Sequence, residues 1–161
     1  MPTADRRPPP ALIVGGTAAY GLDLAAYGPL GQPVVVETPY GPSPPVAFLQ
    51  PDSGQPPVAF CSRHGHDQLE RSAAFLNPRA LVWAAVMLGA RAIFSWNGTG
   101  AIAGHLEVGD LVVPHDFLDF SHTRTPTFGE ADLPPAAGPA FDPAARAAIL
   151  AAAAGAAPAV H

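Results

Sequence analysis

Short apolar runs, each broken by glycine, proline or a polar cluster, set the rhythm of this chain. Leu12-Ile13-Val14 stops at Gly15-Gly16-Thr17, the pattern of a buried strand feeding a tight loop. Val34-Val35-Val36 is a second β-branched run, which the proline-rich stretch from Thr38 to Pro45 breaks. Val46 to Leu49 and Val58 to Cys61 predict two further strands around the turn Pro51-Asp52-Ser53-Gly54. Asn77 to Ala90 predicts a helix, with Asn77 as N-cap, Pro78 in the first turn and Gly89 at the end. Its interior, Leu81 through Leu88, is apolar nearly all round, which predicts deep burial, and Trp83 and Trp96 are expected in the core. Ala92 to Trp96 predicts a strand ending in Asn97-Gly98-Thr99-Gly100, and Leu111 to Pro114 another after the turn Val108-Gly109-Asp110. Leu133 to Pro139 is a connector without a clear period. Asp142-Pro143 then opens an alanine-rich helix to about Ala154, favourable in propensity but with little to bury. Ala157 to His161 reads as the entry to one more strand, and Met1 to Ala11 as a flexible, proline-rich leader. Strands alternating with helices, several ending in glycine or polar loops, predict an α/β domain with its site at the strand ends.

Composition narrows the function classes. The 161 residues are 48% hydrophobic and 13% charged, too apolar for a disordered chain and enough for one domain with a core. The net charge is -5, and all 8 basic residues are arginine. Such a chain lacks the basic face that nonspecific nucleic-acid binding requires. No apolar run approaches the roughly 20 residues of a membrane span, so no membrane partner is expected. The lone cysteine, Cys61, cannot form an internal disulfide and fits a reducing, cytoplasmic setting. Placed after an apolar run, it reads as a small core residue rather than a nucleophile.

Three polar loops follow apolar strands: Gly15-Gly16-Thr17, Arg63-His64 and Asn97-Gly98-Thr99-Gly100. Should the strands be neighbours, the loops meet at one sheet edge and offer backbone N–H groups, a hydroxyl, a guanidinium and an imidazole. That inventory suits an oxyanion such as phosphate, because glycine permits close backbone approach and arginine supplies a bidentate fork. Neither a nucleotide P-loop nor a dinucleotide fingerprint is present, since both spacings are missing. His64-Gly65-His66-Asp67 invites a metal reading, with His105, His115 or His122 to complete it. No second spaced set of ligands accompanies it, so no metal is assigned. Asp116, Asp119, His122 and Arg124 read as a solvated loop or a subunit contact in preference to a site wall.

The ordered set is more specific than its parts. Ile13-Val14-Gly15-Gly16-Thr17, Glu37-Thr38-Pro39-Tyr40-Gly41-Pro42-Ser43, Arg63-His64-Gly65-His66 and Asn77-Pro78-Arg79-Ala80 come first. Asn97-Gly98-Thr99-Gly100-Ala101-Ile102, Gly109-Asp110-Leu111-Val112-Val113-Pro114 and Asp119-Phe120-Ser121 with Arg124 and Thr127-Phe128 follow. In that order they resemble the 5'-methylthioadenosine phosphorylase / purine nucleoside phosphorylase family, including its methylthioinosine phosphorylase branch. The resemblance runs from about Leu12 to His161. It departs from the family pattern at Gln68, where histidine is common, at Pro78 for tyrosine and at Gly98 for alanine.

The resemblance implies a three-layer α/β fold, a central mixed sheet flanked by helices, with residues 12–161 as the N-terminal portion of one domain, incomplete at its C-terminus. It implies phosphorolysis of a purine (methylthio)nucleoside, the chemistry of purine and methionine salvage, with inorganic phosphate as co-substrate and no cofactor. By similarity Thr17, Arg63 and His64 bind phosphate, while Asn97 and Gly98 sit where an amide and a side chain face phosphate and sugar. Homotrimers are expected, since neighbours in the family help close each site. Family chains continue past the equivalent of His161 into a segment that holds the purine. A noncatalytic relic or assembly subunit that keeps only the phosphate half is therefore the alternative, with a metal-dependent hydrolase on His64, His66 and Asp67 a third reading.

Overall fold

A computed structural model describes residues 11–50, 56–65, 72, 75–120, 138–155 and 159–161. The leader up to residue 10, the turn at 51–55, His66, Asp67, Gln68, His122, Arg124 and most of the 133–139 connector lie outside the described residues. The chain divides into two units, Met1–Thr99 and Gly100–His161.

In the first unit, strands β1 (Ala11–Gly15), β4 (Ala47–Leu49), β5 (Val58–Ser62) and β6 (Ala92–Trp96) form one sheet in the order β4-β5-β1-β6. β5 and β6 both run parallel to β1, while β4 is antiparallel to β5, so the sheet is mixed. Side chains alternate across it. Leu12, Val14, Ala59 and Cys61 point to one face, where they meet Val46 and the helix α1 (Pro78–Met87) through Leu81 and Ala85. Ile13, Val58 and Phe60 point to the other, covered by Ala19 and Leu24 of two 3-10 turns and by Leu49. The result is a sheet between two layers. α1 links β5 to β6 with β1 lying between them in the sheet, and the helix face it buries is Ala80, Leu81, Ala84 and Ala85.

The start of α1 is built as the sequence predicts: the Asn77 carboxamide oxygen accepts from the Ala80 amide at 3.1 Å, and Pro78 follows. Burial is less than its composition suggests. Val86 and Met87 are mostly exposed, since only one side of the helix meets the sheet. Trp83 and Trp96 are also half-exposed rather than core: Trp83 packs edge-on against Tyr40 at 5.8 Å, and Trp96 lies on the edge strand β6. The Val34–Val36 run makes only an isolated bridge, Val34 to Val46, before the short hairpin of β2 (Glu37–Thr38) and β3 (Gly41–Pro42). Prolines 33, 39, 42, 44 and 45 remove the donors that a longer ladder needs.

Among the described residues of the second unit there is one helix, α2 (Pro143–Ala153), capped by Asp142, whose carboxylate accepts from the Ala145 amide at 2.7 Å. None of its residues is buried. The Leu111 run and the terminal segment, each predicted as a strand, meet in a single parallel bridge, Leu111 to Val160. Beside it the Asp110 carboxylate accepts from the Glu107 amide at 2.9 Å and lies 3.1 Å from His161 Nε2. That amide, ahead of the histidine, holds the Asp110 carboxyl below its ordinary range. No helix among the described residues is long and apolar enough to cross a membrane.

Candidate functional site

The parallel pairing of β5, β1 and β6 sets the site. Gly15 is in register with Ser62 on one side and with Trp96 on the other, so the next residues along the three strands emerge together. Two backbone hydrogen bonds fasten the loops: the Arg63 amide donates to the Gly15 carbonyl at 3.0 Å, and the Gly16 amide to the Trp96 carbonyl at 2.7 Å. Thr17, Arg63 and Asn97 thus leave neighbouring strand ends.

Space forbids a side chain at Gly15 and leaves little room for one at Gly16. A Cβ on Gly15 would stand 2.6 Å from the Ala19 Cβ, and one on Gly16 would stand 3.1 Å from Asn97 Oδ1 and 3.2 Å from the Trp96 carbonyl. The same position on Gly16 is 3.6 Å from Arg63 Nη2, so the guanidinium and the Asn97 carboxamide oxygen flank one glycine. A Cβ at Gly98 would meet the Ala18 Cβ at 3.3 Å, which places the β6 loop against the turn that starts at Thr17.

Arg63 supplies the charge. Among the described residues its buried Nε has no hydrogen-bond partner and the guanidinium forms no ion pair. Nη2 of the same guanidinium lies on the Gly16 side, where an arriving anion would meet it. Thr17, Asn97 and Gly98 are exposed, in reach of such an arrival, whereas His64 is buried in the turn after β5. The structure therefore groups Thr17, Arg63, Asn97 and Gly98 at one edge, and sets the His64 side chain deeper.

Cys61 lies behind the site, fully buried in the α1-side core, and burial pushes its thiol up to about 12. A thiol so held stays protonated and is no nucleophile. Among the described residues no group of three or more His, Cys, Asp or Glu is placed to hold a metal; His66 and Asp67 fall outside them. Behind Asn97 stands Ser95, which the motifs do not single out. The Asn97 amide Nδ2 donates to Ser95 Oγ at 2.9 Å. The spacing carries a signal for it, since Asn97 is the residue just past β6 and stands two positions beyond Ser95.

Residues 11–161 match the family model described as the phosphorylase superfamily. A probable S-methyl-5'-thioinosine phosphorylase from Methanothermobacter thermautotrophicus is 40% identical over 118 residues, 72% of this chain and 40% of that protein. An S-methyl-5'-thioadenosine phosphorylase from Drosophila melanogaster is 34% identical over 126 residues, 76% of this chain and 41% of that protein. The chain therefore spans less than half the length of these curated relatives. Among solved structures, methylthioadenosine phosphorylase from Schistosoma mansoni in its apo form is similar with TM-score 0.59 at 27% identity, over 71% of this chain and 39% of that one. The same enzyme in complex with adenine gives TM-score 0.70 at 23% identity, over 95% of this chain and 62% of that one, which bears on the fold alone.

Proposed function

The chain belongs to the phosphorylase superfamily, and from that footing we propose that it is the N-terminal portion of a purine (methylthio)nucleoside phosphorylase domain and holds the phosphate of that reaction. Inorganic phosphate attacks C1' of the nucleoside as the C1'–N bond to the purine breaks. The products are the free purine, which takes up a proton, and a pentose 1-phosphate. Positive charge develops on the sugar in the transition state, so a phosphate fixed beneath it is both nucleophile and counter-charge. In this reading Arg63, the Thr17 hydroxyl, His64 and the Gly98 backbone bind phosphate, and Asn97 stands between phosphate and sugar. No cofactor is needed. Assembly as a homotrimer and a cytoplasmic setting belong to the same proposal.

One observation carries the reading: the Arg63 guanidinium stands beside the closely packed Gly15 and Gly16, where three parallel strands end. The test is calorimetric titration with inorganic phosphate, with release of purine from a methylthionucleoside followed in parallel. Arg63→Ala should weaken phosphate binding by about tenfold or more, the worth of a charge-assisted hydrogen bond. Unchanged affinity would remove the site. Phosphate binding without phosphate-dependent purine release would favour the noncatalytic alternative, a scaffold or assembly subunit.

A further inference from the structure

We propose that Ser95 is a positioning residue that fixes which end of the Asn97 carboxamide faces the strand-end crevice, and thereby makes Asn97 a reader of a sugar hydroxyl rather than a phosphate ligand. This rests on the phosphorylase reading of the site and adds a division of labour within it. Ser95 is the penultimate residue of β6 and Asn97 the first residue past it. The Asn97 Nδ2 group is committed to Ser95 Oγ at 2.9 Å. Its Oδ1 consequently turns the other way, to within 3.1 Å of where a Gly16 Cβ would stand, on the side where Arg63 Nη2 also lies.

A carboxamide oxygen only accepts hydrogen bonds, and so do the terminal oxygens of a sugar phosphate dianion, which carries no P–OH. Two acceptors facing each other repel. Asn97 Oδ1 therefore requires a donor, and among the parts of a pentose 1-phosphate only the sugar hydroxyls provide one. Arg63, a donor throughout, takes the phosphate. Were Ser95 unable to accept, the carboxamide would be free to turn its NH2 toward the anion, and the discrimination between sugar phosphate and bare phosphate would fall.

The experiment measures binding of inorganic phosphate and of ribose 1-phosphate to the full chain and to Ser95→Ala and Ser95→Thr, with the Asn97 side-chain amide signals followed by NMR. Ser95→Ala should weaken ribose 1-phosphate by about three- to tenfold, the worth of one neutral hydrogen bond, and leave inorganic phosphate within about twofold. Ser95→Thr, which keeps the hydroxyl, should restore the wild-type ratio. Equal weakening of both ligands by Ser95→Ala would show that Asn97 serves the anion, and an unmoved ratio would show that Ser95 positions nothing; either result overturns the inference while leaving the phosphate site standing. Wild-type chain that binds neither ligand defeats the phosphorylase reading and the sugar assignment with it. In that event Asn97 amide signals that shift in Ser95→Ala would still report the Ser95 contact as real.

Discussion

The two units of this chain are similar in their supply of apolar residues and opposite in their use of them. In Met1–Thr99 Leu12 and Cys61 of the strands, and Val46 just ahead of β4, are fully buried. In Gly100–His161 no described residue is buried, and Ile102, Val108, Leu118 and Phe120 face solvent. Polar ties do the holding there: Asp110 with the Glu107 amide and His161, Asp116 with the Ala140 amide, and Arg146 Nε with the Val113 carbonyl at 3.1 Å. A ladder of long strands lets side chains on one face pack at regular spacing, whereas a single bridge orders only its own neighbourhood. The candidate site sits on the unit with the core. That is the physical condition for holding three loops to within tenths of an ångström.

The largest test of this contrast is a pair of truncations. Leu12→Ala should lower the unfolding free energy of the first unit by about 2–5 kcal/mol, whereas Leu118→Ala, whose side chain is exposed, should stay within about 0.5 kcal/mol. Both tryptophans, Trp83 and Trp96, belong to the first unit, so fluorescence during urea unfolding follows it selectively. A comparable loss from Leu118→Ala would break the comparison.

A pH series sharpens it. The Cys61 thiol titrates near 9.0 when free and near 12 when folded, so ionisation favours the unfolded chain. Below pH 9 the group costs nothing. Above it, the first unit should lose about 1.4 kcal/mol per pH unit as pH climbs toward the folded value, and Cys61→Ala should flatten that slope. Fluorescence-monitored unfolding between pH 8 and pH 11 reads both (~3 units, within the window that linkage sets).

The smallest effect compares the two helix caps. Asn77→Ala and Asp142→Ala each remove one side-chain cap, worth about 1 kcal/mol. Asn77 also donates to the Tyr40 carbonyl and so ties the β2–β3 hairpin to α1, while Asp142 caps a helix with no buried face. Asn77→Ala should therefore shift Trp fluorescence unfolding, and Asp142→Ala should appear only as faster amide exchange in α2. Equal effects on the Trp signal would erase the distinction between the two units.

Much of this fold is legible in the residue order alone. β-branched and apolar runs ended by glycine or polar clusters locate β1, β4, β5 and β6, and the Asn-Pro and Asp-Pro pairs locate both helix starts, because strand, cap and turn preferences act over a few neighbouring residues. The loops that carry Thr17, Arg63 and Asn97 are legible for the same reason. How deeply α1 and the tryptophans are buried is not, since an apolar surface is buried only where another element lies against it, and composition does not say where that is. The Val34 run misleads because its own residues favour a strand while the surrounding prolines take away the partners' donors.

By itself, then, the sequence determined the four strands of the sheet, both helix starts, the order of the motifs and the phosphorylase kinship, all of which depend on local chemistry or on the succession of residues. Only the tertiary structure decided that β1 lies between β5 and β6, that Gly16 brings Arg63 and Asn97 to one spot, that the Arg63 donor is left unmet, and that Ser95 turns the Asn97 carboxamide. Apart from the Ser95 contact, those facts join residues far apart along the chain, and such pairings are set by which surfaces pack best across the whole unit.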